Sequence, residues 1–140
     1  MTDRAKLGRS SQRRGQAAQR EAAADLRASG LYPDADHVGT WPRREGVGDL
    51  TGVGDVTAEV TIRPWAEIEA KMAQAEWTAG VGGHGGPWFV MKRRRDQPAG
   101  LGRWWVVFRG DVAWELLART ARLEEDEAAL LQEIFWLQKS

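Results

Sequence analysis

Two carboxylates ten residues apart, Asp49 and Glu59, are the residues of this chain whose type and spacing best fit chemistry. Asp49 sits in Gly48-Asp49-Leu50, at the end of a short strand-like stretch, and Glu59 lies inside the alternating run Val56–Ile62. A Gly52-Val53-Gly54-Asp55 turn separates them, which predicts a hairpin carrying one acid near the end of its first strand and one mid-strand on its second. Either residue alone reads as ordinary strand-surface polarity. Together they can converge on one divalent cation, because Mg²⁺ takes one or two carboxylates and completes its shell with water and phosphate oxygens. Such a cation serves phosphodiester hydrolysis. The run Lys92-Arg93-Arg94-Arg95 lies further along, either as a solvated strand end or as a phosphate-contacting patch.

An acid, then Glu-x-x on a hairpin, then a helix and a basic strand, resembles the layout of the PD-(D/E)xK nucleases. Upstream, Arg14-Gly15, Arg20-Glu21 and Leu26…Gly30-Leu31-Tyr32 are similar to the opening of the phage and archaeal Holliday-junction resolvases of that superfamily. The resemblance spans about residues 12–117. It implies a restriction-endonuclease-like core, with Asp49 and Glu59 as metal carboxylates, Glu21 joining the same metal site, and Mg²⁺ or Mn²⁺ as cofactor. It also implies branched DNA as substrate, and a homodimer, since symmetric nicking of a four-way junction needs two sites at fixed separation. The sequence departs from the pattern at Thr61, where the motif has a lysine that positions water and offsets transition-state charge. Two lysines could stand in. Lys71 has Glu67 as a local i,i+4 partner, whereas Lys92 lies on the next strand, so Lys92 is expected to be the catalytic lysine. The competing outcome is a DNA-binding relative that has lost hydrolysis.

These residues need elements to position them. Residues 1–10 read as a disordered basic terminus and Ser11–Ser29 as a helix rich in Ala, Gln and Arg, stopped by Gly30. Leu31–Glu45, with two prolines and scattered polar residues, reads as a loop or a short irregular strand. In the second strand Val56, Ala58, Val60 and Ile62 face the core, and Glu59 and Thr61 face the other way. Pro64 suits a first helical position, and Trp65, Ile68, Met72 and Ala75 follow at helical spacing. A glycine-rich loop around His84 precedes strands at Pro87–Lys92 and Arg103–Arg109. That loop lacks the Lys-Ser/Thr of a P-loop, and neither His37 nor His84 has a ligand partner at recognisable spacing. Trp104 and Trp105 fall on opposite strand faces, so one belongs to the core; the other either packs under the following helix or stacks on a base. From Asp111 onward there is neither Gly nor Pro, which predicts one long helix or two broken near Thr120. The expected fold is α/β, a mixed central sheet flanked by helices, with a nuclease-like domain over 11–120 and an additional C-terminal amphipathic helix over 121–140.

Composition bounds the function without choosing it. The chain has 140 residues and no cysteine, so it has neither a disulfide framework nor a thiolate metal site. No run approaches the roughly 18 apolar residues of a membrane span, and the basic N-terminus lacks the apolar stretch of a signal peptide; a cytoplasmic protein, of a phage or its bacterial host, fits. Net charge is zero but unevenly spread, with basic segments over 1–30 and 91–109 and an acidic tail over 121–140. Arg13, Arg14, Arg20, Arg93, Arg94 and Arg95 are the expected DNA contacts. In the tail, Leu123, Leu130, Ile134 and Leu137 form a stripe interrupted by Glu127, which suits chain assembly or packing on the chain's own domain. A protein-interaction module, with the basic face incidental, is the reading from a different functional class.

Overall fold

The computed structural model describes residues 3–39, 47–81 and 86–139. It is a mixed α/β protein. Helix α1 spans Asp3–Ala28, the short strands β1 and β2 span Asp36–His37 and Leu50–Thr51, and β3 spans Thr57–Thr61. A 3₁₀ turn over Trp65–Glu67 leads into α2 (Ile68–Val81); β4 (Trp88–Arg93), a second 3₁₀ turn, β5 (Trp104–Val107) and α3 (Gly110–Lys139) follow. The main sheet has the order β3-β4-β5, with β3 and β4 parallel and β4 and β5 antiparallel. The parallel pair needs a crossover, and α2 supplies it.

Alternation along β3 and β4 gives the sheet two different faces. Ala58, Val60, Phe89 and Met91 pack against Ala18, Ala22, Ala23 and Leu26 of α1 to form the core. The small alanines let α1 lie close to the sheet. Glu59, Thr61, Val90 and Lys92 alternate onto the other face, where Lys71 of α2 reaches Glu59. That face is as enclosed as the first, so every residue of β3 is buried.

Three expectations are corrected. Residues 3–10 are helical, because their Arg, Ala, Lys and Leu continue the helix-forming composition of the segment after them. Asp49 and Glu59 do not lie on a β-hairpin. β2 pairs instead with β1, through Asp36 with Thr51 and His37 with Leu50, while β3 finds its ladder with β4. Gly52 belongs to this rearrangement: its φ is +71°, and a Cβ there would stand 2.1 Å from the Asp34 carbonyl oxygen. Finally, the chain divides after Phe108 and not at residue 120. The second unit is the single uninterrupted helix α3, as the lack of Gly and Pro after Gly110 permits. No helix among the described residues is long and apolar enough to cross a membrane.

Candidate active site

Asp49 and Glu59 converge even though their strands form no ladder. The Asp49 backbone N–H donates to the Ala58 carbonyl at 2.9 Å, and its Oδ2 accepts the Val60 N–H at 2.8 Å. Asp49 thus acts as a one-residue neighbour to the edge of β3 that β4 does not cover. Gly48 makes this approach possible, since a Cβ there would lie 2.5 Å from the Ala58 oxygen. The two carboxylates flank one ammonium: Lys71 Nζ lies 3.4 Å from Asp49 Oδ2 and 3.2 Å from Glu59 Oε2.

Glu59 is the unusual member. Its side chain is fully buried, and neither oxygen has a hydrogen-bond partner; the ammonium lies at ion-pair distance but is not aligned to donate. Burial, reinforced by the neighbouring Asp49 carboxylate, raises its pKa to about 7, against the opposing pull of Lys71. A buried ionic group of this kind contributes little to stability, because desolvation offsets the Coulombic gain. Perturbed buried acids concentrate where chemistry is done.

The lysine at the site is Lys71, not Lys92. Its expected partner Glu67 pairs with Arg63 instead, at 3.5 Å. The signal was in the helix period: Lys71 stands three residues after Ile68, four before Ala75 and seven before Thr78, all buried, so it occupies the inward stripe of α2. Lys92 lies opposite Thr61 in the parallel ladder, with its Nζ 5.2 Å from the Trp65 ring centroid. Thr61 is buried, and its hydroxyl accepts the Arg63 N–H at 3.0 Å.

Glu21 is elsewhere. On α1 it accepts from Arg93 Nε at 2.9 Å, with Arg103 at 3.9 Å. The reason is strand alternation: Arg93 follows Phe89 and Met91 onto the α1 face, opposite the face of Glu59. Among the described residues no three His, Asp or Glu side chains cluster closely enough to hold a metal. A cation would therefore have two protein carboxylates, Asp49 and Glu59. That donor set, with the two unsatisfied oxygens of Glu59, still suits a hard divalent ion that keeps several waters.

The arginines divide. Arg14 of α1 lines a groove of about 640 Å³ with Gln12, Arg63 and Glu67, and a second of about 360 Å³ with Glu21, Arg93, Arg94 and Arg95. Arg13 and Arg20 are exposed on α1 and line neither. Arg93 is committed to Glu21 and to the Arg94 carbonyl.

One feature was missed in the sequence. Asp25 is a buried carboxylate of α1 that accepts from Arg103, from Trp104 Nε1 at 2.7 Å and from the Gly100 N–H at 3.1 Å, tying α1 to the start of β5. Of the tryptophan pair, Trp104 is the core residue, while Trp105 is exposed and lies tilted against Trp65, centroids 6.4 Å apart. His84 and residues 82–85 of its loop lie outside the described residues. No family model, curated protein or solved structure matches the chain.

Proposed function

We propose that this protein is a divalent-metal-dependent DNA endonuclease acting on branched DNA, with a restriction-endonuclease-like core, working as a homodimer in the cytoplasm of a bacterial or phage-infected cell. The observation that carries the proposal is the pair of buried carboxylates, Asp49 and Glu59, held on either side of the part-buried Lys71. Asp49 and Glu59 supply carboxylate oxygens to Mg²⁺ or Mn²⁺, which when bound neutralises phosphate charge and activates water for hydrolysis. Lys71 provides the positive charge that Thr61 cannot, delivered from the following helix on a flexible stem. Arg14, Arg94 and Arg95 are the cations best disposed to hold the DNA backbone.

A second reading, a DNA-binding relative without hydrolysis, is favoured by one observation: Glu21, the expected third metal residue, is held by Arg93 and Arg103. Incubation with a four-way junction, a flap and a linear duplex, each with Mg²⁺ or Mn²⁺, separates the two. Nicking of the branched substrates that EDTA and Glu59→Gln both abolish supports the enzyme. Tight, salt-sensitive DNA binding without nicking leaves the second reading. Absence of both eliminates nucleic acid as the partner.

A further inference from the structure

Trp65 and Trp105 are more than half and half exposed, 55% and 50%. Leaving two indoles half in water forgoes part of the hydrophobic gain their burial would bring. They lie side by side at an interplanar angle of 57°. Each carries a cation: Lys92 Nζ at 5.2 Å from the Trp65 centroid and the Arg94 guanidinium at 4.9 Å from that of Trp105. Together with Pro64, Arg93, Arg95 and Gln97 they line a groove of about 420 Å³ with no carboxylate in its wall.

Strand register puts this groove beside the candidate active site. Lys92 pairs with Thr61, two residues beyond the Glu59–Val90 pair on the same sheet face. At about 3.3 Å per residue that is a step of roughly 7 Å along the parallel strands. Trp65 follows on the segment leaving β3. The groove therefore opens at the carboxyl ends of β3 and β4, where crossover topology commonly leaves a binding crevice.

We infer that Trp65 and Trp105, with Lys92 and Arg94, form a stacking platform for an unpaired nucleotide of single-stranded DNA. Flat aromatic faces match a base, and the ammonium and guanidinium held over one side of each ring match the phosphate on either side of it. An acidic peptide would satisfy the cations but not two exposed indoles; an apolar segment would satisfy the indoles but leave Lys92, Arg94 and Arg95 unmatched. A duplex keeps its base faces stacked internally, so the platform selects open strands. The inference rests on the nucleic-acid reading of the neighbouring site and specifies which part of a branched substrate that surface takes.

The test is equilibrium binding of the full chain to a labelled single-stranded oligonucleotide and to the blunt duplex of the same length, in EDTA so that nothing is cut. Trp65→Ala and Trp105→Ala should each weaken single-strand binding about ten-fold, in line with base–aromatic stacking of roughly 1–3 kcal/mol, and leave duplex binding within about two-fold. Trp65→Phe and Trp105→Phe should retain most of the affinity, which a merely positional role for indole would not predict. Unchanged single-strand affinity in the alanine variants overturns the platform, as does an equal loss on duplex. Should one alanine variant fail to fold, the other and the phenylalanine pair still decide. The two proposals fail separately. Stacking without Mg²⁺-dependent cleavage removes the nuclease, and junction cleavage with wild-type binding by both alanine variants removes the platform.

Discussion

A carboxylate enclosed on every side without a hydrogen bond resists ionisation, and Glu59 is held near a pKa of 7 for that reason. The unfolded chain has an ordinary glutamate at about 4.3. Between those values the folded state binds more protons than the unfolded one, so stability falls as pH rises across the window and stays low above it. Glu59→Gln should therefore melt well above the wild type at pH 8 and close to it at pH 4.5 to 5. Mn²⁺ should raise the wild-type melting temperature at pH 8 and leave the variant's unchanged; calorimetry with and without the ion checks both. Lys71 makes the second residue-scale prediction. Replacing it with Met removes the ammonium between the carboxylates and should lower junction cleavage about 10²–10³-fold, whereas Lys92→Ala should cost far less. Because Thr61 shares the face of Glu59, adding Thr61→Lys to Lys71→Met should recover part of the loss in a single-turnover assay. Asp49 and Glu59 were legible as a pair in the sequence. Lys71 was legible as one of two candidate lysines but ranked behind Lys92, because its neighbour Glu67 offered a local partner and only the helix period marked it as inward.

At the scale of elements, the alternation of β3 is legible from Val56 to Thr61, since a buried face admits a single register, but Ile62, expected in the core, is exposed. What pairs with what is a different matter. β1 is two polar residues, Asp36-His37, with no pattern to announce it, and the glycines at 52 and 54 imitate a tight hairpin turn although Gly52 in fact accommodates the Asp34 carbonyl. Asp25 was equally hidden: nothing local to α1 distinguishes a carboxylate that meets Arg103 and Trp104 nearly 80 residues later from one pointing at solvent. It carries a strong element-scale prediction. Asp25→Ala leaves Arg103, Trp104 Nε1 and the Gly100 N–H without their acceptor and should lower stability by about 3 kcal/mol, read as a shift of the urea midpoint at constant m-value. Glu21→Ala, on the exposed side of the same arginines, should cost at most about 1 kcal/mol. Cleavage that survives Glu21→Ala would fit a two-carboxylate site.

For the whole molecule, a nuclease that cuts a four-way junction symmetrically requires two copies, and α3 is the element with the means to join them. Leu116, Leu123, Leu130 and Leu137 recur every seventh residue along its 30 residues, a repeat that includes one leucine more than the stripe visible around Glu127. Leu123, Leu130 and Leu137 are exposed, as is Ile134. With the leucines at d, the a positions are Ala113, Thr120, Glu127 and Ile134, and a two-stranded coiled coil covers both sets with an identical helix. In a parallel pair Arg119 at g faces Glu124 at e of the partner helix, a favourable contact. Glu127 then meets its own copy at the centre of the seam, where a polar a residue fixes register at a cost in stability. Leu123→Lys with Leu130→Lys should shift the protein to monomer in sedimentation, and Glu127→Leu should tighten the dimer by roughly ten-fold or more, given about 1.5–3 kcal/mol for each newly buried leucine. A dimer that survives ending the chain at Thr120 would show that its contact lies in the first unit. In that case the exposed leucines of α3 would have no role in pairing the two sites.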